Sequence, residues 1–85
     1  MANYKLLIKP SAVKELEALP VKDRRRLVVR LQRLSSDPRP PGSEKLSGHE
    51  LYRIRQGNYR VLYSVEDLEM VVLVIKVGHR RDVYR

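Results

Sequence analysis

Three arginines in one short segment are the residues of this sequence best suited to chemistry. The segment LYRIRQGNYRVLY, residues 51–63, alternates basic and apolar side chains on either side of Gln56-Gly57-Asn58. Two alternating runs joined by a short glycine-containing loop are typical of a β-hairpin. Alternation places Arg53 and Arg55 on one face of the first strand, and Arg60 follows on the second. The pattern therefore predicts three guanidinium groups on one patch, where they suit a phosphate.

The alternative is an ordinary solvated basic strand face without a binding or catalytic role, with salt bridges to Glu50 or Asp82. The C-terminal segment VGHRRDVYR, residues 77–85, favours a catalytic site over a solvated strand face because it adds His79, further arginines and a tyrosine. Metal-free RNA cleavage needs a base for the 2′-hydroxyl, cations for the phosphate, an acid for the leaving 5′-oxygen and an aromatic ring for stacking. The hairpin and this segment together contain that set.

The length, net charge and cysteine content of the chain exclude several classes of protein. A chain of 85 residues is one domain, residues 1–85, and its net charge of +8 indicates a polyanionic partner. The chain has no cysteine, which excludes disulfides, thiol catalysis and cysteine-bound zinc. No apolar run is long enough to cross a membrane. We expect a soluble, cytoplasmic protein that uses no metal and no other cofactor.

The periodicity of apolar residues predicts six elements. These are a strand over residues 4–8, a helix over 10–19 that ends at Pro20, a helix over 21–35, and strands over 50–55, 59–65 and 70–77. Residues 37–45 hold three prolines and a glycine, so no regular structure is expected there. The order β-α-α-β-β-β predicts an α+β fold with two N-terminal helices packed on a mostly antiparallel sheet.

The second predicted helix has a strongly basic outer face. Its basic residues are Lys22, Arg24, Arg25, Arg26, Arg30 and Arg33. Such a face suits contacts with an RNA backbone, which contribute affinity without sequence selectivity. The alternative is an ordinary solvated helix surface.

Two segments taken together resemble a known family. KLSGHELYRIRQGNYRVLYSV followed by VIKVGHRRDVYR resembles the RelE/ParE superfamily of type II toxin-antitoxin toxins, and within it the RelE branch, over essentially the whole chain. The resemblance implies a microbial RNase-like fold and a metal-independent endoribonuclease. That enzyme cleaves mRNA in the ribosomal A site, inhibits translation, and leaves 2′,3′-cyclic phosphate and 5′-hydroxyl ends. The implied partners are an acidic RelB-like antitoxin in a hetero-oligomeric complex, ribosomal RNA and mRNA.

The resemblance also implies residue roles. Arg53 and Arg55 occupy two basic positions of the RelE branch, and Arg60 matches the arginine that stabilises the transition-state phosphate. Arg80 matches the general acid of that branch, and Tyr84 matches the tyrosine that stacks on or orients the nucleotide. We assign RNA binding to Arg53 and Arg81.

One position departs from the RelE pattern. Arg55 stands where the pattern has a lysine, the proposed general base. Arginine does not deprotonate in proteins, so Arg55 is assigned to charge stabilisation. Histidine is a common general base, so His79, which adjoins Arg80, becomes the substitute candidate, with a ribosomal group or no dedicated base as the alternatives.

Two other functions are compatible with the sequence. ParE-type toxins keep the fold but inhibit DNA gyrase, and they lack the basic and tyrosine set present here. A non-catalytic RNA-binding module would use the same arginines. Substitution of Arg60 separates the enzyme from the module, because an enzyme would lose cleavage while a binder would lose affinity.

Overall fold

The computed structural model describes residues 3–46 and 50–79. Its elements are β1 (Lys5–Ile8), α1 (Pro10–Glu17), α2 (Val21–Leu34), β2 (Glu44–Leu46), β3 (Leu51–Gln56), β4 (Tyr59–Glu66) and β5 (Val71–His79). The strands form one sheet in the order β1-β5-β4-β3-β2, in which only the β1–β5 pair is parallel. The predicted α+β fold, with two helices on a mostly antiparallel sheet, is confirmed. Among the described residues, no helix is long and apolar enough to span a bilayer.

Strand β2 was not among the predicted elements, so the predicted order is corrected at this point. Residues 37–45 were expected to lack regular structure, but Glu44 and Lys45 begin β2, and Glu44 pairs with Arg53 of β3. The prolines all precede Gly42, whose φ of +93° turns the chain. After that turn every backbone N–H is available for pairing, so a short edge strand forms. The observed order is therefore β-α-α-β-β-β-β, and the other predicted elements lie within two residues of their expected ends.

The two helices pack on one face of the sheet through short apolar stripes. Helix α1 starts with Pro10, which is favourable at a first helical position, and buries Ala12 and Leu16. Helix α2 buries leucines at spacings of three and four residues, the period of one helix face. The buried apolar residues are Ala12, Leu16, Leu27, Leu31, Leu34, Tyr52, Ile54, Val61, Tyr63, Val65, Val72, Val74 and Val77.

The proline-rich segment 37–43 is tied to the sheet by polar contacts. Arg39 donates to both carboxylate oxygens of Asp67, at 3.1 and 2.8 Å, and to the Tyr52 hydroxyl at 2.7 Å. The Tyr4 hydroxyl donates to the same carboxylate at 2.7 Å. The hydrogen bonds from Arg39 and then Tyr4 lower the pKa of Asp67. These contacts fix the segment that leads into β2.

Tyr63 provides a stability prediction. Its side chain is fully buried, its hydroxyl donates to the Pro38 carbonyl oxygen at 2.7 Å, and burial raises its pKa to about 12 from an ordinary 10.0. The folded state therefore keeps a proton that the unfolded chain loses. The stabilisation is complete below pH 10 and is lost as the pH rises from about 10 to 12. Tyr63→Phe should lower the free energy of unfolding by about 1 kcal/mol at pH 7 and flatten this alkaline decline.

Urea unfolding at several pH values measures both effects. The pKa values of Tyr4 and Tyr59 are also raised, so the comparison between wild type and the Tyr63→Phe variant isolates Tyr63. Equal alkaline slopes in the two proteins would contradict the prediction.

Candidate functional site

The hairpin formed by β3 and β4 brings the predicted arginines together. Arg55 and Arg60 are direct cross-strand partners, and Arg53 lies opposite Leu62. Directly opposed residues share a face, as do residues two apart on one strand, so the three arginines project from the same side of the sheet. Tyr52 and Ile54 are buried on the other side. The tight turn that makes this possible has Gly57 at φ +60°, a conformation that glycine adopts readily.

These arginines line a cavity of about 390 Å³, which we call the arginine cavity. Its lining residues are Arg30, Gly42, Glu44, Arg53, Ile54, Arg55 and Arg60. The cavity opens at the start of β2, because its first residue, Glu44, pairs with Arg53 and the later residues of β3 have no β2 neighbour. Four arginines and one glutamate leave a strong excess of positive charge.

Arg30 is the member of the arginine cavity that the sequence did not reveal. It was predicted only as part of the outer face of the helix, yet it reaches from α2 toward Gly42, where a Cβ would lie 3.9 Å from its Nη2. The signal available was its position between Leu27 and Leu31, at the border of the apolar stripe. Its Nε is buried and has no acceptor among the described residues. A buried donor of this kind is typical of a site completed by water or an anion.

Arg53 differs from the other arginines of the hairpin in its burial. It is 7% exposed, and its Nη2 lies 2.7 Å from Glu44 Oε1. The hydrogen bond from Arg53 lowers the pKa of Glu44, and the charges of Arg60 and Arg55 lower it further. Arg53 therefore forms a salt bridge with Glu44, whereas the alternative of a solvated strand face predicted a salt bridge to Glu50 or Asp82. Arg53 is thus held in place, whereas Arg55 is exposed.

Glu50 faces other partners, and Asp82 lies outside the described residues. The Glu50 carboxylate receives hydrogen bonds from Lys45 at 3.4 Å and from the Tyr52 hydroxyl at 3.1 Å. These donors lower its pKa, with Tyr52 as the larger cause. Glu50 therefore belongs to the polar cluster around Arg39 and does not neutralise the hairpin arginines.

His79 ends β5 beside the hairpin, on the face opposite Arg60. Its cross-strand partner is Tyr59, and the two rings meet edge-on with centroids 6.2 Å apart. Arg60 lies opposite Gly78, and adjacent pairs project to opposite faces. His79 is not one of the described residues that line the arginine cavity. Its role as a base stays a prediction.

Three of the predicted site residues, Arg80, Arg81 and Tyr84, lie outside the described residues. They follow directly on the end of β5, and their roles stay predictions. Gly78 pairs with Arg60 across the two strands and has no side chain, so β5 itself contributes none opposite Arg60.

The basic face of α2 forms a second cavity of about 380 Å³, which we call the helix groove. It is lined by Arg25, Arg26, Val29, Arg30, Arg33 and Gln56. Of the two remaining basic residues, Lys22 is exposed, and Arg24 donates to the Glu17 carbonyl oxygen at 3.4 Å. Arg30 lines both cavities, so a continuous basic surface runs from α2 to the hairpin.

The chemistry available in the arginine cavity is anion binding and charge stabilisation. Guanidinium groups donate two parallel hydrogen bonds to phosphate oxygens and remain protonated at any accessible pH. The cavity can therefore stabilise a phosphate that gains negative charge, but none of its arginines can act as a base. Within residues 3–46 and 50–79, no three acidic or histidine side chains cluster as metal ligands do.

Comparison with known proteins shows the family to which the chain belongs. A family model described as the ParE toxin of the type II toxin-antitoxin system, parDE, matches residues 6–84. Toxin RelG of Mycobacterium tuberculosis is 41% identical over 34 residues, a segment that spans 40% of this chain and only 39% of that protein.

Solved structures extend the match to the whole fold. The toxin-antitoxin complex RelBE2 of M. tuberculosis contains a chain that is 26% identical, with a TM-score of 0.82, and the alignment covers 93% of this chain and 100% of that one. A substituted form of free Escherichia coli RelE is 34% identical, with a TM-score of 0.81, and the alignment covers 98% of this chain and 88% of that one. The chain therefore belongs to the RelE/ParE superfamily of type II toxin-antitoxin toxins.

Proposed function

We propose that this toxin is a metal-independent endoribonuclease that cleaves mRNA in the ribosomal A site and so inhibits translation in the cytoplasm. The observation that carries the proposal is the arginine cavity, where Arg55 and Arg60 form a cross-strand pair and Arg30 approaches from α2. An excess of guanidinium groups over carboxylates suits a phosphate in a transition state. The similarity to E. coli RelE supports the RelE branch.

The reaction is transesterification at a phosphodiester. The 2′-hydroxyl oxygen attacks the adjacent phosphorus, the bond to the 5′-oxygen breaks, and the products are a 2′,3′-cyclic phosphate and a 5′-hydroxyl. Arg55 and Arg60 donate hydrogen bonds to the non-bridging oxygens as their charge increases. Arg53, held by Glu44, keeps β3 and β2 in register beneath the substrate.

The remaining roles fall to the end of β5 and the residues after it. The resemblance to RelE implies Arg80 as the general acid for the leaving 5′-oxygen and Tyr84 as the residue that stacks on the nucleotide. Because a guanidinium stays protonated, Arg80 stabilises that oxygen with a hydrogen bond, and the oxygen takes its proton from water. His79 is the candidate base for the 2′-hydroxyl, and a ribosomal group is the alternative. Proton transfer from the 2′-hydroxyl thus depends on His79 at the end of β5 or on the ribosome.

The partners follow from the charge of the surface and from the relatives. RelBE2 of M. tuberculosis is a toxin-antitoxin complex, and we infer that an acidic RelB-like antitoxin binds this toxin in a hetero-oligomer. The helix groove suits ribosomal RNA, since four arginines line it.

Ribosome binding by the helix groove leads to a salt-dependence prediction. The double substitution Arg25→Gln/Arg33→Gln should weaken binding to purified ribosomes and reduce the slope of log K against log salt concentration by about one per lost phosphate contact. A salt titration of the dissociation constant measures this slope. Lys14→Gln, on the exposed surface of α1, is the matched control and should leave the slope unchanged. Equal slopes for the double variant and wild type would exclude the groove as a ribosome contact.

Inhibition of DNA gyrase is the second candidate function, because the matching family model carries the ParE name. Primer extension on an mRNA in a cell-free translation reaction, beside a gyrase supercoiling assay, separates the two. Cuts within A-site codons with normal supercoiling support the endoribonuclease. Intact mRNA with blocked supercoiling would instead establish a gyrase inhibitor.

A further inference from the structure

The last part of β5 has an unusual neighbour on its outer edge. Strand β1 pairs with β5 only as far as Ile8 and Val74. Beyond Val74, within residues 3–46 and 50–79, no strand pairs with β5 on that side, and α1 packs against β5. A strand edge leaves backbone N–H groups that need an acceptor. The acceptor here comes from a helix side chain.

Glu15 of α1 supplies that acceptor. Its Oε1 accepts a hydrogen bond from the Val77 backbone N–H at 2.9 Å, and its Oε2 accepts one from Lys76 Nζ at 2.9 Å. One partly buried carboxylate therefore contacts two successive residues of β5. Bonds from N–H groups to a carboxylate are stronger than those between neutral groups, so this contact constrains the strand locally.

The constrained residues follow a bulge. Tyr63 pairs with Val74, but the preceding residue Leu62 pairs with Lys76, which leaves Ile75 as an extra residue in β5. Without the extra residue, the alternation would shift by one and exchange the two faces. The bulge therefore decides which side chains of the last part of β5 face the core.

The shift has a direct consequence at the arginine cavity. In the observed register, Val77 is buried in the core and Gly78 lies opposite Arg60. In a register without the bulge, Val77 would lie opposite Arg60 and place a branched side chain beside it. The bulge therefore places a glycine, and not Val77, opposite Arg60.

We propose that Glu15 is a positioning residue for the candidate active site. By holding Val77 and Lys76 after the bulge, its carboxylate fixes the register that puts Gly78 opposite Arg60. The proposal rests on the endoribonuclease function for its catalytic consequence. The register itself is tested independently of any activity.

The test compares Glu15→Ala, Glu15→Gln and the control Glu17→Ala in the full-length toxin. Glutamine keeps an acceptor for the Val77 N–H, whereas alanine removes it. Glu17 is exposed on the same helix and lines neither the arginine cavity nor the helix groove. Amide hydrogen exchange by NMR reports the Val77 N–H, with the core residue Val72 as an internal reference, and cell-free cleavage gives kcat and KM.

Glu15→Ala should accelerate exchange at Val77 by about tenfold or more while Val72 keeps its protection. Its kcat should fall by about 10- to 100-fold with KM within about twofold of wild type, because the site is displaced while ribosome contacts persist. Glu15→Gln should restore both protection and kcat, and Glu17→Ala should change neither.

Unchanged exchange at Val77 in Glu15→Ala would overturn the claim that Glu15 fixes the register. Faster exchange with an unchanged kcat would overturn the positioning role. A wild-type protein that cuts no mRNA would refute the proposed function and the catalytic part of the inference with it, and the exchange data would still decide whether Glu15 holds this part of β5.

Discussion

Arg60→Ala is expected to reduce cleavage of ribosome-bound mRNA by about 10²- to 10³-fold in a single-turnover assay. Arg60 lies opposite Arg55 across the hairpin and lines the arginine cavity. Its guanidinium would meet the phosphate when negative charge is greatest, so its loss raises the barrier more than it weakens binding. Ribosome affinity should therefore change by less than about threefold, since the helix groove is left intact.

Two further variants sharpen this result. Arg60→Lys keeps the charge but not the planar fork and should retain an intermediate rate. Lys14→Ala removes a positive charge on α1, away from both cavities, and should leave the rate unchanged. If Arg60→Ala lost ribosome affinity as much as cleavage, the cavity would be a binding surface and the non-catalytic RNA-binding module would be the better account.

Leu31→Ala should lower the free energy of unfolding by about 2–5 kcal/mol. Leu31 is 1% exposed and lies in the middle of the apolar stripe by which α2 packs on the sheet. Truncation removes buried methyl groups and leaves a cavity that a small core cannot refill. Because a domain of this size is marginally stable, the loss is a large fraction of the total. Urea unfolding followed by circular dichroism measures it.

Gln32→Ala is the matched control for Leu31. Gln32 is the next residue on α2 and is exposed, so its truncation should change the free energy of unfolding by no more than about 0.5 kcal/mol. A loss below about 1 kcal/mol for Leu31→Ala would show that α2 is not held by this stripe. The position of Arg30 beside the hairpin would then need another cause.

The predictable parts of the molecule were those encoded locally. The turn at Gly57 joins two alternating runs, so the placement of Arg53, Arg55 and Arg60 on one patch was predictable from residues close together in the sequence. The apolar stripe of α2 was also predictable from the sequence, because Leu27, Leu31 and Leu34 repeat at helical spacing.

The parts that sequence reasoning missed depend on distant residues. Strand β2 has only three residues, and it forms because β3 offers a free edge to Glu44. The same pairing buries Arg53 against Glu44, a partner nine residues away that the spacing of charges did not indicate. Arg30 joins the arginine cavity because the turn at Gly42 passes in front of α2. None of these contacts has a periodic signature.

The most direct test of the central claim is the fate of an mRNA that carries one 2′-deoxynucleotide at a mapped cleavage position. Transesterification requires the 2′-oxygen as the nucleophile, so the modified bond should remain intact in a cell-free translation reaction. The unmodified mRNA should be cut there and should yield a 2′,3′-cyclic phosphate and a 5′-hydroxyl. Cleavage of the modified bond at the normal rate would contradict the proposed mechanism and the role assigned to the arginine cavity.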